Sequence, residues 1–330
     1  MLTVGSLRPY RVKARVVRKR CAAGALLALL TLVLLVMLAA SRVARADGAV
    51  FDDPYDIPKA PRPPTLPELT HPELTATLEA TAGTILPAPG QVVAHGYVQR
   101  LSVEVPVALR RWFVGLDYEV AAGDPYGSLQ FVGGNVQLQG RTVWATRTGL
   151  AFGGGFALGL PTATASSADP GPAGAVALHA AALRPWDVSF FEVNSWAARP
   201  FVDVRALDGA FVVQFRQGLD LLASAGAITK PSIFGVAGVY FGWRATPAVA
   251  VGLEAFEAYA IDVPNVKDGA RVSVVASPNV RLVLPLIEPA ISAFTTIGTP
   301  LQESTQTIWG FRLALTLVYD PNSTFGIKSR

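Results

Sequence analysis

The sequence predicts an all-β protein: an antiparallel up-and-down transmembrane β-barrel of about twelve strands. Three observations carry that prediction. The first is the stretch Trp309 to Tyr319, where Trp309, Phe311, Leu313, Leu315, Leu317 and Tyr319 alternate with Gly310, Arg312, Ala314, Thr316 and Val318. Period-2 alternation gives a strand two different faces. One face here is wholly apolar, with rings at its ends and leucine between, the order expected of a strand crossing a bilayer. The second is that the connections between strand-like stretches alternate between long and short along the chain. The third is an N-terminal segment built for export.

That segment is residues 1–46. Arg8, Arg11, Lys13, Arg15, Arg18, Lys19 and Arg20 form a basic stretch, an apolar run from Ala22 to Ala40 follows, and Ala44-Arg45-Ala46 fits a small-x-small cleavage site. It reads as a cleaved signal peptide that leaves Asp47 as the mature N-terminus. The apolar run is also long enough to span as a helix, so an uncleaved anchor is the alternative. The segment holds nine of the 28 Lys+Arg and no acid, so the remainder has 19 basic residues against 24 acidic. The basic pI therefore belongs to targeting and gives no reason to expect nucleic acid as a partner. The only cysteine, Cys21, lies inside the segment, so residues 47–330 contain neither a disulfide nor a thiolate metal site. No second apolar run of about 18 residues occurs, which excludes a helical multi-span protein.

Residues 47–73 read as a Pro-rich periplasmic leader, with seven prolines between Asp47 and Pro72. Such a segment favours extended, weakly structured chain and serves as a spacer, with a docking motif as the alternative. The barrel is expected over 74–320, and 321–330 form a C-terminal tail. Twelve strands are predicted at 74–85, 92–106, 111–122, 129–138, 141–160, 199–207, 210–222, 232–244, 248–260, 270–284, 290–297 and 305–319. Ten or fourteen would also fit. The gaps alternate between long loops, the longest 161–198, and tight turns such as 139–140 and 208–209. Outer-membrane barrels show this asymmetry. Asp208-Gly209 is a type I′ hairpin signal.

The strand faces agree. Around Trp112 the apolar set is Trp112, Val114, Leu116, Tyr118 and Val120, opposite Gly115, Asp117 and Glu119. After Ala210 it is Phe211, Val213, Phe215, Leu219 and Leu221, opposite Gln214, Arg216 and Asp220. Alternation alone does not separate a barrel from a soluble sandwich of inverted sense. The export signal, the loop asymmetry and the aromatics at strand ends favour the barrel. Glu257 falls in phase with Val249, Val251 and Leu253, so that strand needs a bulge or places Glu257 near an interface.

At Gly133-Gly134-Asn135, Arg141 to Trp144 and Gly149 to Thr162 the chain resembles a broad group of outer-membrane barrels assigned to transport, including the family found with phenol-degradation meta-pathway genes. The shared features are a Gly-Asn turn region, a Gly-rich amphipathic strand ending in Leu-Pro-Thr, and a closing apolar strand. The resemblance implies passage or binding of small hydrophobic or aromatic compounds. Many such barrels end on an aromatic read by the assembly machinery. Here eleven residues follow Tyr319, so either that signal is internal or the tail packs elsewhere.

If the polar phase of each strand faces the lumen, it collects Arg100, Arg141, Arg147, Arg205, Arg216, Arg271, Arg281 and Arg312 with Glu104, Asp117, Glu119, Asp203, Asp220 and Glu254. A guanidinium facing lipid at the midplane costs about 2–4 kcal/mol, which drives these groups inward. They form either a selectivity constriction that favours anions or a salt-bridge network that fills a narrow barrel. Trp112, Tyr118, Trp144, Trp243, Trp309, Phe311 and Tyr319 are the expected membrane-interface aromatics. The loop 161–198 carries an alanine-rich stretch, Ala173 to Leu183, then Trp186, Phe190, Phe191 and Trp196. It reads as an inward constriction or lid, or as an external cap or uncounted strands.

The three histidines, His71, His95 and His179, carry no catalytic motif, and Gly153-Gly154-Gly155 lacks the Lys-Ser/Thr of a phosphate loop. No enzyme, cofactor or metal is expected. The expected location is the outer membrane of a Gram-negative bacterium. The expected partners are outer-membrane lipid, the barrel-assembly machinery and a small-molecule solute, with no nucleic acid.

Overall fold

The computed structural model describes residues 61–67, 69, 73–87, 93–107, 111–125, 127–146, 149–165, 171–225, 231–263, 271–297 and 305–319. The predicted signal and its cleavage site, most of the leader, His71, Arg147 and the C-terminal tail lie outside the described residues.

Thirteen strand segments follow in order: β1 Leu74–Pro87, β2 Ala94–Pro106, β3 Trp112–Gly123, β4 Gln130–Gly133, β5 Gln137–Ala145, β6 Leu150–Gly159, β7 Ser195–Asp208, β8 Phe211–Ser224, β9 Ser232–Thr246, β10 Val249–Asp262, β11 Val272–Leu282, β12 Ile287–Ile297 and β13 Thr305–Tyr319. β4 and β5 both pair with β3, so they are two pieces of one wall strand interrupted at 134–136. The wall therefore has twelve strands, all antiparallel, and closes where β1 pairs with β13 from Leu74↔Tyr319 to Ile85↔Ile308. Closure leaves no free edge, and every ladder hydrogen bond stays inside the wall, the condition for strands that meet lipid.

The period-2 pattern decides which side faces out. In β13, Leu313 and Leu317 are 55% and 50% exposed, whereas Arg312 and Thr316 are each 1% exposed. Leucine outside and arginine inside is the inverse of a water-soluble sandwich, and it identifies a membrane-spanning barrel. Trp112, Trp144, Trp243 and Tyr319 are exposed near the hairpin ends of their strands, and Phe211 stacks on Trp243 at 6.2 Å between centroids. Trp309 and Phe311 are exposed toward the loop end and meet edge to face at 6.2 Å. Tyr118 differs from its expected place. It faces outward but lies halfway along β3, with its hydroxyl across Gly133. Trp309 and Tyr319 are ten residues apart on one strand. At about 3.3 Å per residue and about 40° of tilt, the apolar band between them is about 25 Å tall.

Two turns differ from the sequence expectation. The hairpin predicted at 139–140 lies instead at 146–149, where Gly149 takes φ +81 and Thr146 donates its backbone N–H to the Leu150 carbonyl at 2.7 Å. Gly140 instead sits inside the wall, paired with Val114 and Phe156, because the strand register continues through it. At the second, Asp208 pairs with Phe211, so the central residues are Gly209 and Ala210. Only Gly209 has positive φ, +56. Glycine with positive φ at the first position fits a II′ turn, whereas I′ needs positive φ at both. β10 runs past Glu257 in regular register, without a bulge, and places it outward five residues from the loop-side end of the strand.

Candidate functional site

Two segments enter the lumen, and the first comes from the long loop. α1, Pro172–Leu183, continues through Arg184 into a 3-10 segment, Pro185–Phe191. Its alanines and Val176 are small enough to lie against the inner wall, where the strands supply glycine. A Cβ on Gly96 would stand 2.7 Å from Leu183 Cδ1, and one on Gly123 would stand 3.2 Å from Val176 Cγ2. Leu183, Trp186, Phe190 and Phe191 are buried in one apolar cluster with Val98, Val132, Phe256 and Ile308 of the wall. Trp186 stacks on Phe256 at 4.6 Å between centroids. The connection is pinned by Asn135 at the break between β4 and β5. Its amide donates to the Ser189 and Glu192 carbonyls at 2.9 and 2.8 Å, and its oxygen accepts from Thr162 and Ala163. The alternative of an external cap thus falls away, and the missed strand is confined to residues 195–198, the start of β7, which carries Trp196 on its outer face.

The second is the Pro-rich leader. Arg62 donates to Glu73 at 2.7 Å and to Glu288 at 3.1 Å. Thr65 donates its backbone N–H to Glu254 at 2.9 Å, and the Pro67 carbonyl accepts from Gln214 at 2.9 Å. Leu66 packs toward Gly238, and Leu69 is buried with Phe113 and Val143. Read from sequence as a spacer, this part of the leader is a strap across the lumen. Extended proline-rich chain has no internal hydrogen bonds, and here wall side chains supply partners for it.

The charges between these segments form networks. Arg184 reaches Glu79, Glu119 at 3.1 Å and Asp187 at 2.7 Å. Asp187 also meets Arg199 at 3.3 Å and Arg100 at 3.7 Å. Burial alone would raise the Asp187 pKa, but the guanidiniums of Arg184, Arg100 and Arg199 together hold it well below the usual carboxylate range. Arg100 pairs with Asp117 at 2.9 Å and Arg199 with Asp220 at 2.8 Å. Around the strap, Arg312 binds Glu254 at 2.7 Å, donates to Ser292 at 3.0 Å and Ser277 at 3.2 Å, and contacts Thr65. Arg281 pairs with Glu288 at 3.1 Å. Arg216 is bidentate to Asp203, both bonds 2.8 Å, and lies 4.0 Å over the Phe201 ring. Arg141 pairs with Glu104 and lies 4.1 Å over Phe113.

Of the residues predicted from the polar phase, the structure thus brings Arg100, Arg141, Arg205, Arg216, Arg281 and Arg312 inward with all six acids. Arg205 is fully buried beside Ala151 and Gln214. Arg271 is elsewhere: it precedes β11 at the loop end, within 3.4 Å of the Ala260 and Ile261 carbonyls. Sequence reasoning missed Glu79, Arg199, Glu288, Arg184, Asp187 and Arg62. The first three sit in phase on strands whose ends or amphipathicity were read too weakly. The others lie in segments without strand period, where alternation carries no signal. His95 meets Thr84 at 3.1 Å on the outer side, and His179 lies on α1 near Gly96.

Among the cavities within the described residues are two of about 80 Å³ each, and both touch Thr65, Leu66, Arg100, Gln139 and Arg216. Thr65 and Leu66 of the strap thus belong to the walls of both. The first is lined mainly by polar groups. The second is lined by Trp186, Phe256 and Phe201 together with three arginines and three aspartates.

No protein-family model matches the chain, and no curated protein matches it in sequence. Among solved structures it is similar to an outer membrane channel from Pseudomonas putida F1, at 10% identity and TM-score 0.53 over 77% of this chain and 96% of that one. It is also similar to the NanC porin, at 9% identity and TM-score 0.46 over 75% and 99%, and to a Pseudomonas aeruginosa FadL homologue, at 9% and 0.40 over 76% and 93%. The last two superpose too loosely to carry argument. With the closed wall and its apolar exterior, the first establishes the fold, a closed antiparallel membrane-spanning β-barrel.

Proposed function

We propose that this barrel is an outer-membrane channel for small solutes, held shut in the conformation described by the inward loop and the leader strap. The observation that carries the reading is the lumen itself. Charged side chains line its inner face below the apolar cluster at the loop end, and a strap of a few residues runs beside two of its cavities. A barrel with no passage to serve could fill its interior with apolar side chains, which costs far less than ionised groups with their desolvation. Arg100, Arg216, Arg281 and Arg312 are the selectivity elements. Each lies beside a carboxylate, so the lumen presents both signs and the anion preference expected from the arginines alone is reduced. No catalytic role is assigned. The resident partners are outer-membrane lipid and, during insertion, the assembly machinery.

A second reading is a closed barrel that binds a ligand or partner, favoured by the burial of Trp186, Phe190 and Phe191. Planar-bilayer conductance separates the two. Residues 47–330 should give rare, small steps, and a variant lacking 61–69 should give frequent discrete steps with weak ion preference. Inserted protein that is silent in both forms rejects the channel and leaves the binding barrel.

A further inference from the structure

Two buried polar atoms beside the second cavity, Trp186 Nε1 and Asp220 Oδ2, have no hydrogen-bond partner among the described residues. Asp220 is 2% exposed and Trp186 4%. Leaving a buried donor and a buried acceptor unmet costs on the order of 1–3 kcal/mol each, so their retention at one cavity is informative. An indole N–H can only donate, and an ionised carboxylate can only accept. A molecule that satisfies both must carry an acceptor and a donor. A hydroxyl supplies either.

The remaining walls narrow the class. Trp186 and Phe256 stack with a 22° angle between their planes, and the Arg184 and Arg312 guanidiniums lie 5.6 and 5.9 Å over the Trp186 ring, so the indole offers its N–H rather than a free face. Three guanidiniums and three carboxylates line the same space, so neither an anion nor a cation is favoured over a neutral molecule. The volume, about 80 Å³, holds about five water-sized groups at about 15 Å³ each. A planar hydrocarbon of similar size would leave both polar atoms unmet.

We propose that this cavity is a binding subsite for a small, neutral polyhydroxy compound of about glycerol size, its hydroxyls on Trp186 Nε1 and Asp220 Oδ2. The subsite rests on the channel reading only in lying on the path that reading assigns to the solute, and binding is measured without a bilayer. Saturation-transfer NMR on the refolded chain in deuterated detergent, with glycerol as the probe and benzoate as the comparison, tests it. Glycerol should receive saturation from wild type. The signal should fall about five-fold in Trp186→Phe, which keeps the ring and removes the N–H, as loss of one ligand hydrogen bond predicts. Asp220→Asn should lower it similarly. Near-UV circular dichroism verifies that each variant is folded. No glycerol signal in wild type, an undiminished signal in folded Trp186→Phe, or stronger transfer to benzoate than to glycerol each overturns the proposal. Failure of the subsite leaves the conductance experiment unaffected, and a silent bilayer leaves the subsite standing as the site of a binding barrel.

Discussion

Arg312 shows how much of this interior hangs on single side chains. It is 1% exposed and holds Glu254, Ser277, Ser292 and the strap residue Thr65 at once. Removing it strands Glu254 as a buried carboxylate, a loss of about 3–5 kcal/mol when a buried pair is broken on one side. Arg312→Ala should lower the free energy of unfolding in urea by that order, and Arg312→Leu with Glu254→Gln together should recover a large part of it. Equal losses in the single and double variants would mean that the ion pair is not the source. Asp187 offers a test by pH. Its folded pKa is depressed, although burial opposes this, because three arginines face it. A depressed carboxylate contributes stability that is fully present above its ordinary value of about 3.9 and is lost as pH falls through that value toward the folded one. Amide exchange at residues 184–191 should therefore be slow at pH 5 and faster, relative to the intrinsic rate, near pH 3. Asp187→Asn should be fast at both, and flat protection across the range would refute the role given to this charge. The lumen pairs were only half legible in the sequence. Arg141, Asp203 and Glu254 announced themselves by alternating with apolar neighbours, but a charge such as Arg184 has no periodic context and needed the fold to place it.

At the scale of elements, the strands were legible because each has one lipid face and one lumen face, and a slip of one residue would put arginine into lipid. What misled was glycine. Gly140 reads as a turn but lies in the wall, and the turn at 146–149 was hidden inside a continuous apolar alternation. The loop helix is the opposite case. Its alanine-rich sequence announces a helix, but only the wall glycines say that it lies inside. Gly96 faces Leu183 and the His179 Cβ, so a β-branched side chain there has nowhere to go. Gly96→Val should push α1 away from β2, expose Trp186, Phe190 and Phe191 to chymotrypsin, and raise channel activity several-fold while leaving the wall folded. An unchanged protease pattern would show that the helix accommodates the larger residue. The leader was the least legible element. Proline-rich sequence specifies extended chain but not a location, and the pairing of Arg62 with Glu288 spans 226 residues.

For the whole molecule, the decisive property is that its two surfaces are exchanged relative to a water-soluble protein. The exterior band carries Leu313, Leu315 and Leu317 in the open, and the interior carries the ions. Closing the wall satisfies every strand, so the lumen is free to hold polar groups without exposing any backbone to lipid. This arrangement makes substitutions asymmetric in a way no soluble barrel would reproduce. Leu315 faces outward and is 42% exposed. In water, arginine at so exposed a position would change stability by no more than about 0.5 kcal/mol. In a bilayer it faces hydrocarbon near midband, where arginine costs about 2–4 kcal/mol. Leu315→Arg should therefore reduce the stability of vesicle-inserted protein by that order in a reversible urea titration. Leu86→Arg, also exposed but near the loop-side end of β1, should cost no more than about 1 kcal/mol, as expected at an interface. The two losses differ because depth in the hydrocarbon differs, not because packing does. If they came out equal and small, the outer surface would not be meeting lipid, and the inward-facing arginines would need another explanation.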